Sequence, residues 1–351
     1  MSAQTFLGWS PEQVRVFVVG TLEWKFPEYF SPFPKENRRD AALVKWFRTL
    51  GVPQSQLVYL QDKQATSAKI DQKFEALLAD SAEDELLVVY YCGHGSKDDD
   101  GAVYFASYDT DGEDPPGWYA ETIIETIEEQ FSGSHVLLIV DACHSGELAD
   151  QLPKRSKIGY ACLASSLASE TSTGNWTFTE GLLAGLQGHA FVDANGDNRI
   201  TLRELAAEIA ESMAFAEEQV SVFATTKRFD PDLIVGNARP RIGPRVGERV
   251  EAFDGDDWYR AQIIDARNGE FKVHYYGYEE SDQQWLKPEQ LRAVKWKTFP
   301  VGSAVEVKWG KEWYAARVLE VRGGIHHISY DDYDDSWNEW VASSRVRKPR
   351  G

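Results

Sequence analysis

Val136-Leu137-Leu138-Ile139-Val140-Asp141-Ala142-Cys143-His144-Ser145-Gly146 is the stretch that decides the fold. Five apolar residues run straight into a turn-forming Asp-Ala-Cys-His-Ser-Gly. A short unbroken apolar run closed by turn residues reads as a strand buried on both faces. Such strands belong to open α/β sheets, whose ligands bind beyond the carboxyl ends of the strands. A second stretch has the same shape: Leu86-Leu87-Val88-Val89-Tyr90-Tyr91-Cys92-Gly93-His94-Gly95. If the two strands are neighbours, His94 and Cys143 end on one rim.

Outward from these strands, helical and strand patterns alternate. Arg15 to Gly20, Leu57 to Leu60 and Ile158 to Ala164 read as further strands. Asp40 to Leu50, a segment from Ala65 to Leu78, Ile123 to Phe131 and Phe178 to Leu186 have helical apolar spacing. The segment from Thr21 to Asn37, rich in proline and aromatics, reads as a loop. The alternation predicts an α/β fold with a mainly parallel sheet flanked by helices.

The chain has 351 residues, a formal net charge of -19 and three cysteines. An odd, sparse cysteine set is no disulfide framework and suits a reducing, cytoplasmic setting. No run approaches the roughly 20 apolar residues of a membrane span, and Met1 to Ser10 has no signal-peptide pattern. The acidity argues against nucleic acid as the main partner. It fits a cationic peptide or bound calcium, and equally solubility alone.

The chemistry implied at the rim is that of an activated thiol. A thiolate is the nucleophile, and a nearby imidazole can take its proton and return it to a leaving amine. His94 is the expected base and Cys143 the nucleophile. His144 competes, but adjacent side chains at a strand end point apart. The backbone N–H groups of Gly95 and Cys143 are the expected oxyanion donors. Cys92 and Cys162 lie inside apolar runs and read as core.

Tyr90 to Gly95 taken with Asp141 to Gly146 resembles the caspase-fold cysteine peptidases. His94 precedes Cys143 by 49 residues (143 − 94), matching the caspase spacing of about 50. Asp-x-Cys-His-Ser-Gly departs from the animal caspase motif and is similar to metacaspases and bacterial orthocaspases. The resemblance covers about residues 10 to 230 and implies a cysteine endopeptidase that cuts after Arg or Lys. Asp141 would form one wall of an acidic S1 pocket, and Asp109 is the expected second acid. Arg38 and Arg39 leave an acidic P1 open as the alternative. The resemblance also implies a self-cut in Lys154-Arg155-Ser156-Lys157; a plain exposed basic loop is the competing reading.

Residues 193–204 have EF-hand loop spacing: Asp193, Asn195 and Asp197 at positions 1, 3 and 5, Arg199 at 7 and Glu204 at 12. Calcium is the cofactor expected there, with a metal-free helix–turn–helix as the alternative. Asn198 stands at position 6, where the backbone is expected to turn left-handed.

Past Asn237 the sequence becomes dense in Trp and Tyr and repeats with a constant offset of 55, as in Tyr275 and Tyr330. Two small all-β barrels are predicted, similar to the Tudor and agenet group. That group implies an aromatic cage for a methylated Lys or Arg. The matching residues are Phe253, Tyr259, Tyr275 and Tyr278, then Lys308, Tyr314, Tyr330 and Tyr333. Lys308 puts a cation in an aromatic place, so the first barrel is expected to be the better cage.

The expected layout is a caspase-like domain over 1–236, a linker over 237–244, and barrels over 245–296 and 297–351. The expected function is a cytoplasmic cysteine endopeptidase acting on protein or peptide, with barrels that bind a cationic or methylated partner and no membrane association. The alternative is a silent caspase-like adaptor working through the barrels.

Overall fold

The computed structural model describes residues 5–36, 38–111, 117–168, 174–240, 243, 245–309, 311–322, 324–334 and 337–349. The first part of the chain is built on strands β1 (Val14–Gly20), β2 (Leu57–Gln61), β3 (Leu86–Cys92), β4 (His135–Asp141), β5 (Gly159–Ala164) and β6 (Val222–Thr225). They form one sheet in the order β6-β5-β4-β3-β1-β2. The β2-β1-β3-β4-β5 pairings are parallel, and β6 closes the edge antiparallel to β5. Every residue of β1 and β3 is buried. That explains why β3 reads as an unbroken apolar run; β1 is interrupted only by Arg15, which is buried against Glu85.

Helices α1 (Arg39–Leu50), α2 (Ser67–Ala79), α3 (Ala120–Gln130) and α4 (Thr177–Leu186) flank this sheet. In α1 the buried Leu43, Val44, Phe47 and Leu50 recur at helical spacing. The helix stops at Gly51, whose φ of 106° lets its N–H turn back to Phe47 and Arg48. Phe17 of β1 packs 4.9 Å from Phe74 of α2 and 5.7 Å from Trp118. Each such fully buried ring contributes on the order of 1.5–3 kcal/mol. A small antiparallel sheet of Gly95–Lys97, Val103–Ala106 and Gly117–Tyr119 follows β3. Val103–Ala106 is its central strand.

The second part holds two five-stranded antiparallel sheets. One runs from Arg249 to Arg292 and the other from Ala304 to Arg347. Their strand orders are the same, with the fourth strand of each outside the third and the fifth returning to pair the first. Each has a register shift in its long second strand, between Ile263 and Asp265 and between Val318 and Glu320. The sequence offset of 55 therefore extends to the β-bulge that curls each sheet.

By contacts the chain divides into Met1–Ala207 with Ser221–Arg239, and Glu208–Val220 with Pro240–Gly351. Helix α5 (Leu202–Ala216) is cut by this division. The segment 208–220, expected in the first domain, groups with the barrels. Glu208 accepts from Arg249 at 2.6 Å and from Gln262 at 2.9 Å, Arg260 donates to the Phe215 carbonyl at 2.5 Å, and the Phe215 ring packs 5.7 Å from Tyr276 and 5.8 Å from Trp296. Among the described residues no helix is long and apolar enough to cross a membrane.

Candidate functional site

In the parallel register of β3 and β4, Cys92 stands opposite Asp141. The next residues of both strands therefore leave the sheet side by side. The Gly93 N–H reaches the Asp141 carbonyl at 3.4 Å, and the Thr21 N–H, at the end of β1, reaches the Cys92 carbonyl at 3.0 Å. The rim thus lies where strand order reverses about β1, the usual place for a ligand in an open α/β sheet. Gly95 is tight against the other turn: a methyl group on it would stand 2.0 Å from the Cys143 carbonyl oxygen. Both expected oxyanion donors accordingly lie in touching backbone segments.

The His94 ring is held by a loop that precedes it by about 60 residues. Nε2 lies 2.8 Å from the Ser31 carbonyl oxygen. A carbonyl only accepts, so Nε2 carries the proton and Nδ1 keeps the lone pair. Trp24 at 4.6 Å, Phe33 at 4.5 Å and Phe30 at 5.5 Å between ring centroids surround the imidazole. Burial lowers its pKa, opposed by the bond to Ser31. Burial thus favours the neutral ring. Sequence reading treated Thr21 to Asn37 as a plain loop. Its aromatic density was the available signal that it packs on something.

The turn bearing Cys143 is clipped from below by three fully buried serines. The Ser165 hydroxyl takes the Ala142 N–H at 3.1 Å, the Ser166 hydroxyl donates to the Ala142 carbonyl at 3.0 Å, and the Ser166 N–H donates to the Ser145 hydroxyl at 3.1 Å. Cys143 is half-buried, whereas Cys92 and Cys162 are buried. Burial pushes both of those thiols upward, Cys162 to about 12. His144 has a left-handed φ of 58° and its Nδ1 donates to the Ala168 carbonyl at 3.0 Å.

The expected specificity acids have separate partners. Asp141 Oδ2 accepts from the Thr179 hydroxyl at 2.6 Å, which lies 2.8 Å from the Tyr90 hydroxyl. Asp109 Oδ1 accepts from the Ser67 N–H at 2.9 Å and the Ser107 hydroxyl at 3.0 Å, at the amino end of α2. Sequence reading passed over Asp40, which is fully buried. After burial itself, Asp40 and Asp141 are the causes that raise the Cys92 thiol. Arg38 donates to Asp40, Asp62 and the Gly20 carbonyl, and Arg39 to Glu180. Carboxylates thus already hold both arginines considered for an acidic P1. Lys154, Arg155 and Lys157 are exposed on a turn.

In the loop 193–204 the side-chain oxygens bind the loop's own amides. Asp193 accepts from Gly196 at 2.7 Å and Asn198 at 2.9 Å, Asn195 from Asp197 at 2.8 Å, Asp197 from Arg199 at 2.8 Å, and Glu204 from Thr201 at 3.0 Å. Asn198 has the expected left-handed φ, 66°. Among the described residues no three His, Cys, Asp or Glu side chains are grouped as a metal set.

In the first barrel the rings of Tyr259, Tyr275 and Tyr278 lie 5.6 to 6.2 Å apart in edge-on pairs. Phe253 is not with them. The register sets it opposite Trp258, and Ala252 opposite Tyr259, so Phe253 is on the other face of the sheet. Its ring packs on Trp258 at 5.4 Å. In the second barrel Lys308 is likewise opposite Trp313, off the cage face. Trp309 and Trp337 instead join Tyr314, Tyr330 and Tyr333 around a cavity of ≈ 220 Å³. Among the described residues, the second barrel thus gathers five rings on this face and the first barrel three.

Residues 50–152 match the family described as metacaspase, peptidase C14 domain, and residues 302–350 match the Agenet domain. No curated protein matches the chain. Among solved structures, one protein from Geobacter sulfurreducens is 15% identical, with a TM-score of 0.45 over 64% of this chain and 98% of that one.

The close approach at Gly95 yields a test. Gly95→Ala should cut labelling of Cys143 by a thiol-reactive peptide probe at least about tenfold, because the added methyl forces the two turns apart. Unchanged labelling would show that the turns need not touch. The strand ends, the sheet and the repeated curled barrels agree with both matches: this chain carries a caspase/metacaspase-like peptidase domain followed by small barrels of the Agenet/Tudor kind.

Proposed function

We propose that the chain is a cysteine endopeptidase in which Cys143 attacks and His94 is the base. The observation that carries this reading is the β3–β4 register, with Cys92 opposite Asp141 and both motif turns following on one rim. Nδ1 of His94 takes the proton from the Cys143 thiol as sulfur attacks the scissile carbonyl. The oxyanion that forms is met by the N–H groups of Gly95 and Cys143. Collapse of the tetrahedral intermediate breaks the C–N bond, and the imidazolium returns its proton to the leaving amine. Water, deprotonated by the same nitrogen, then hydrolyses the thioester and frees the thiol. Ser31 holds the tautomer throughout, and the rings of Trp24, Phe30 and Phe33 keep the imidazole from rotating.

The substrate we assign is a peptide with Arg or Lys at P1. Asp141 supplies the carboxylate, supported by its position at the end of β4. Asp109 can join only through the oxygen its serine partners leave. Asp40 is the second acid we assign, supported by its carboxylate lying against Gly20, the β1 residue that pairs with Cys92. On a fluorogenic peptide panel, cleavage should follow Arg and Lys and vanish in Cys143→Ala. Asp141→Asn should lower kcat/KM at least about tenfold, the scale of a charged hydrogen bond. Cleavage after Asp alone would overturn the assignment, and no cleavage of any peptide would favour the adaptor reading.

Two accessory roles complete the proposal. The barrels recruit a cationic or methylated peptide, supported by their clustered tyrosines. Calcium would be held by the side-chain oxygens of Asp193, Asn195, Asp197 and Glu204 with the Arg199 carbonyl. The support is oxygen donors in the order a calcium loop needs, with Asn198 in the left-handed conformation at position 6. Titration calorimetry should show calcium binding to the wild type and its loss in Glu204→Gln; heat that is equal in both, or absent from both, would remove the site.

A further inference from the structure

We infer that Thr179, backed by Tyr90, is the positioning residue that orients the Asp141 carboxylate, and that this orientation sets a preference for Arg over Lys at P1. The inference rests on the assignment of Asp141 to the P1 cation, and it names what makes that acid discriminate.

The three residues come from three elements. Tyr90 is in β3, Asp141 ends β4 and Thr179 is in the first turn of α4. Tyr90 pairs with Ile139, so it shares a face of the sheet with Asp141, two residues further along β4. Thr179 fills the interval: its hydroxyl is 2.6 Å from Asp141 Oδ2 and 2.8 Å from the Tyr90 hydroxyl. Tyr90 and Thr179 are both fully buried.

The direction of this relay follows from counting protons. An ionised carboxylate only accepts, so the single Thr179 hydroxyl proton goes to Asp141. The Tyr90 hydroxyl must then donate to Thr179. Burial, then Cys92 and Asp141, push the Tyr90 phenol up, so it keeps the proton it donates. Each bond polarises the next and strengthens it. Packing alone does not ask for these groups. Phenylalanine at 90, in the apolar run Leu86–Cys92, and valine at 179 would fill the same space without a buried hydroxyl to satisfy. The first turn of α4 is held besides by Glu180, which accepts from Arg39 at 2.6 and 3.0 Å.

Fixing one carboxylate oxygen fixes the plane of the group. That plane matters to a guanidinium, whose rigid fork meets a carboxylate at both oxygens. It matters less to an ammonium, a point charge with rotating donors. Each carboxylate oxygen has room for two donors, so Oδ2 can hold the Thr179 proton and still receive a guanidinium. Without the Thr179 hydroxyl, Asp141 keeps its charge and loses its fixed plane. Arg is then penalised more than Lys.

The test is kcat/KM of the full chain on matched fluorogenic peptides with Arg or Lys at P1, for wild type, Thr179→Val, Thr179→Ser, Tyr90→Phe and Asp141→Asn. The wild type should prefer Arg. Thr179→Val should lower Arg cleavage at least about tenfold and Lys cleavage no more than about threefold. Thr179→Ser, which keeps the hydroxyl, should keep the ratio. Tyr90→Phe should narrow it in the same direction, and adding Tyr90→Phe to Thr179→Val should narrow it no further, because the relay is one path. Should Thr179→Val not fold, Tyr90→Phe carries the same comparison. A wild type that cuts both peptides equally, an equal loss on both in the variants, or a ratio that does not change would overturn this inference; Asp141 keeps its role if Asp141→Asn still lowers cleavage. Arg cleavage indifferent to Asp141→Asn would overturn the assignment of that acid, and with it the inference. A wild type that cuts neither peptide would overturn both.

Discussion

The pairing of two central strands is the constraint on which the peptidase part depends. β3 and β4 are parallel, adjacent and in register to their last residues. Two turns thus leave the sheet at the same level, one with His94 and one with Cys143. The rest of the site tightens that placement. Gly95 allows the turns to touch. Buried serines hold the Cys143 turn, and the Ser31 carbonyl and three aromatic rings hold the imidazole. A polar clip of this kind works because every group in it is paired; a buried hydroxyl left without a partner would cost about 1–3 kcal/mol.

The same physics acts differently in the barrels. Each is too small to bury many aromatic rings, so several stay at the surface, where their faces are open to a ligand. At two matching positions one repeat has Asp254 and Asp282 and the other Trp309 and Trp337. Duplication has preserved the bulge and the strand order while the cage positions changed chemistry.

Much of this was legible in the sequence, for a physical reason. A strand buried on both faces shows as an unbroken apolar run, and β3 and β4 are such strands. Edge strand β6 was missed because all four of its residues are half-buried and give no pattern. The His94 box was missed because Ser31 meets His94 across 63 residues through a loop without periodicity. Phe253 and Lys308 were misjudged by a single position. In a strand, a shift of one residue moves a side chain to the opposite face, so Trp309 is in the cage and Lys308 is not. The helix Leu202–Ala216 runs unbroken across the division of the chain, so no change in composition marks where the barrels' share of it begins.

The claim at the centre is that Cys143 is the one activated thiol and His94 its base. The direct measurement is peptide mapping after treatment with a peptidyl acyloxymethyl ketone ending in Arg. The account predicts one adduct, on Cys143, with Cys92 and Cys162 unmodified and the rate at least about a hundredfold slower in His94→Ala. An adduct on another cysteine, or an equal rate without His94, would contradict it.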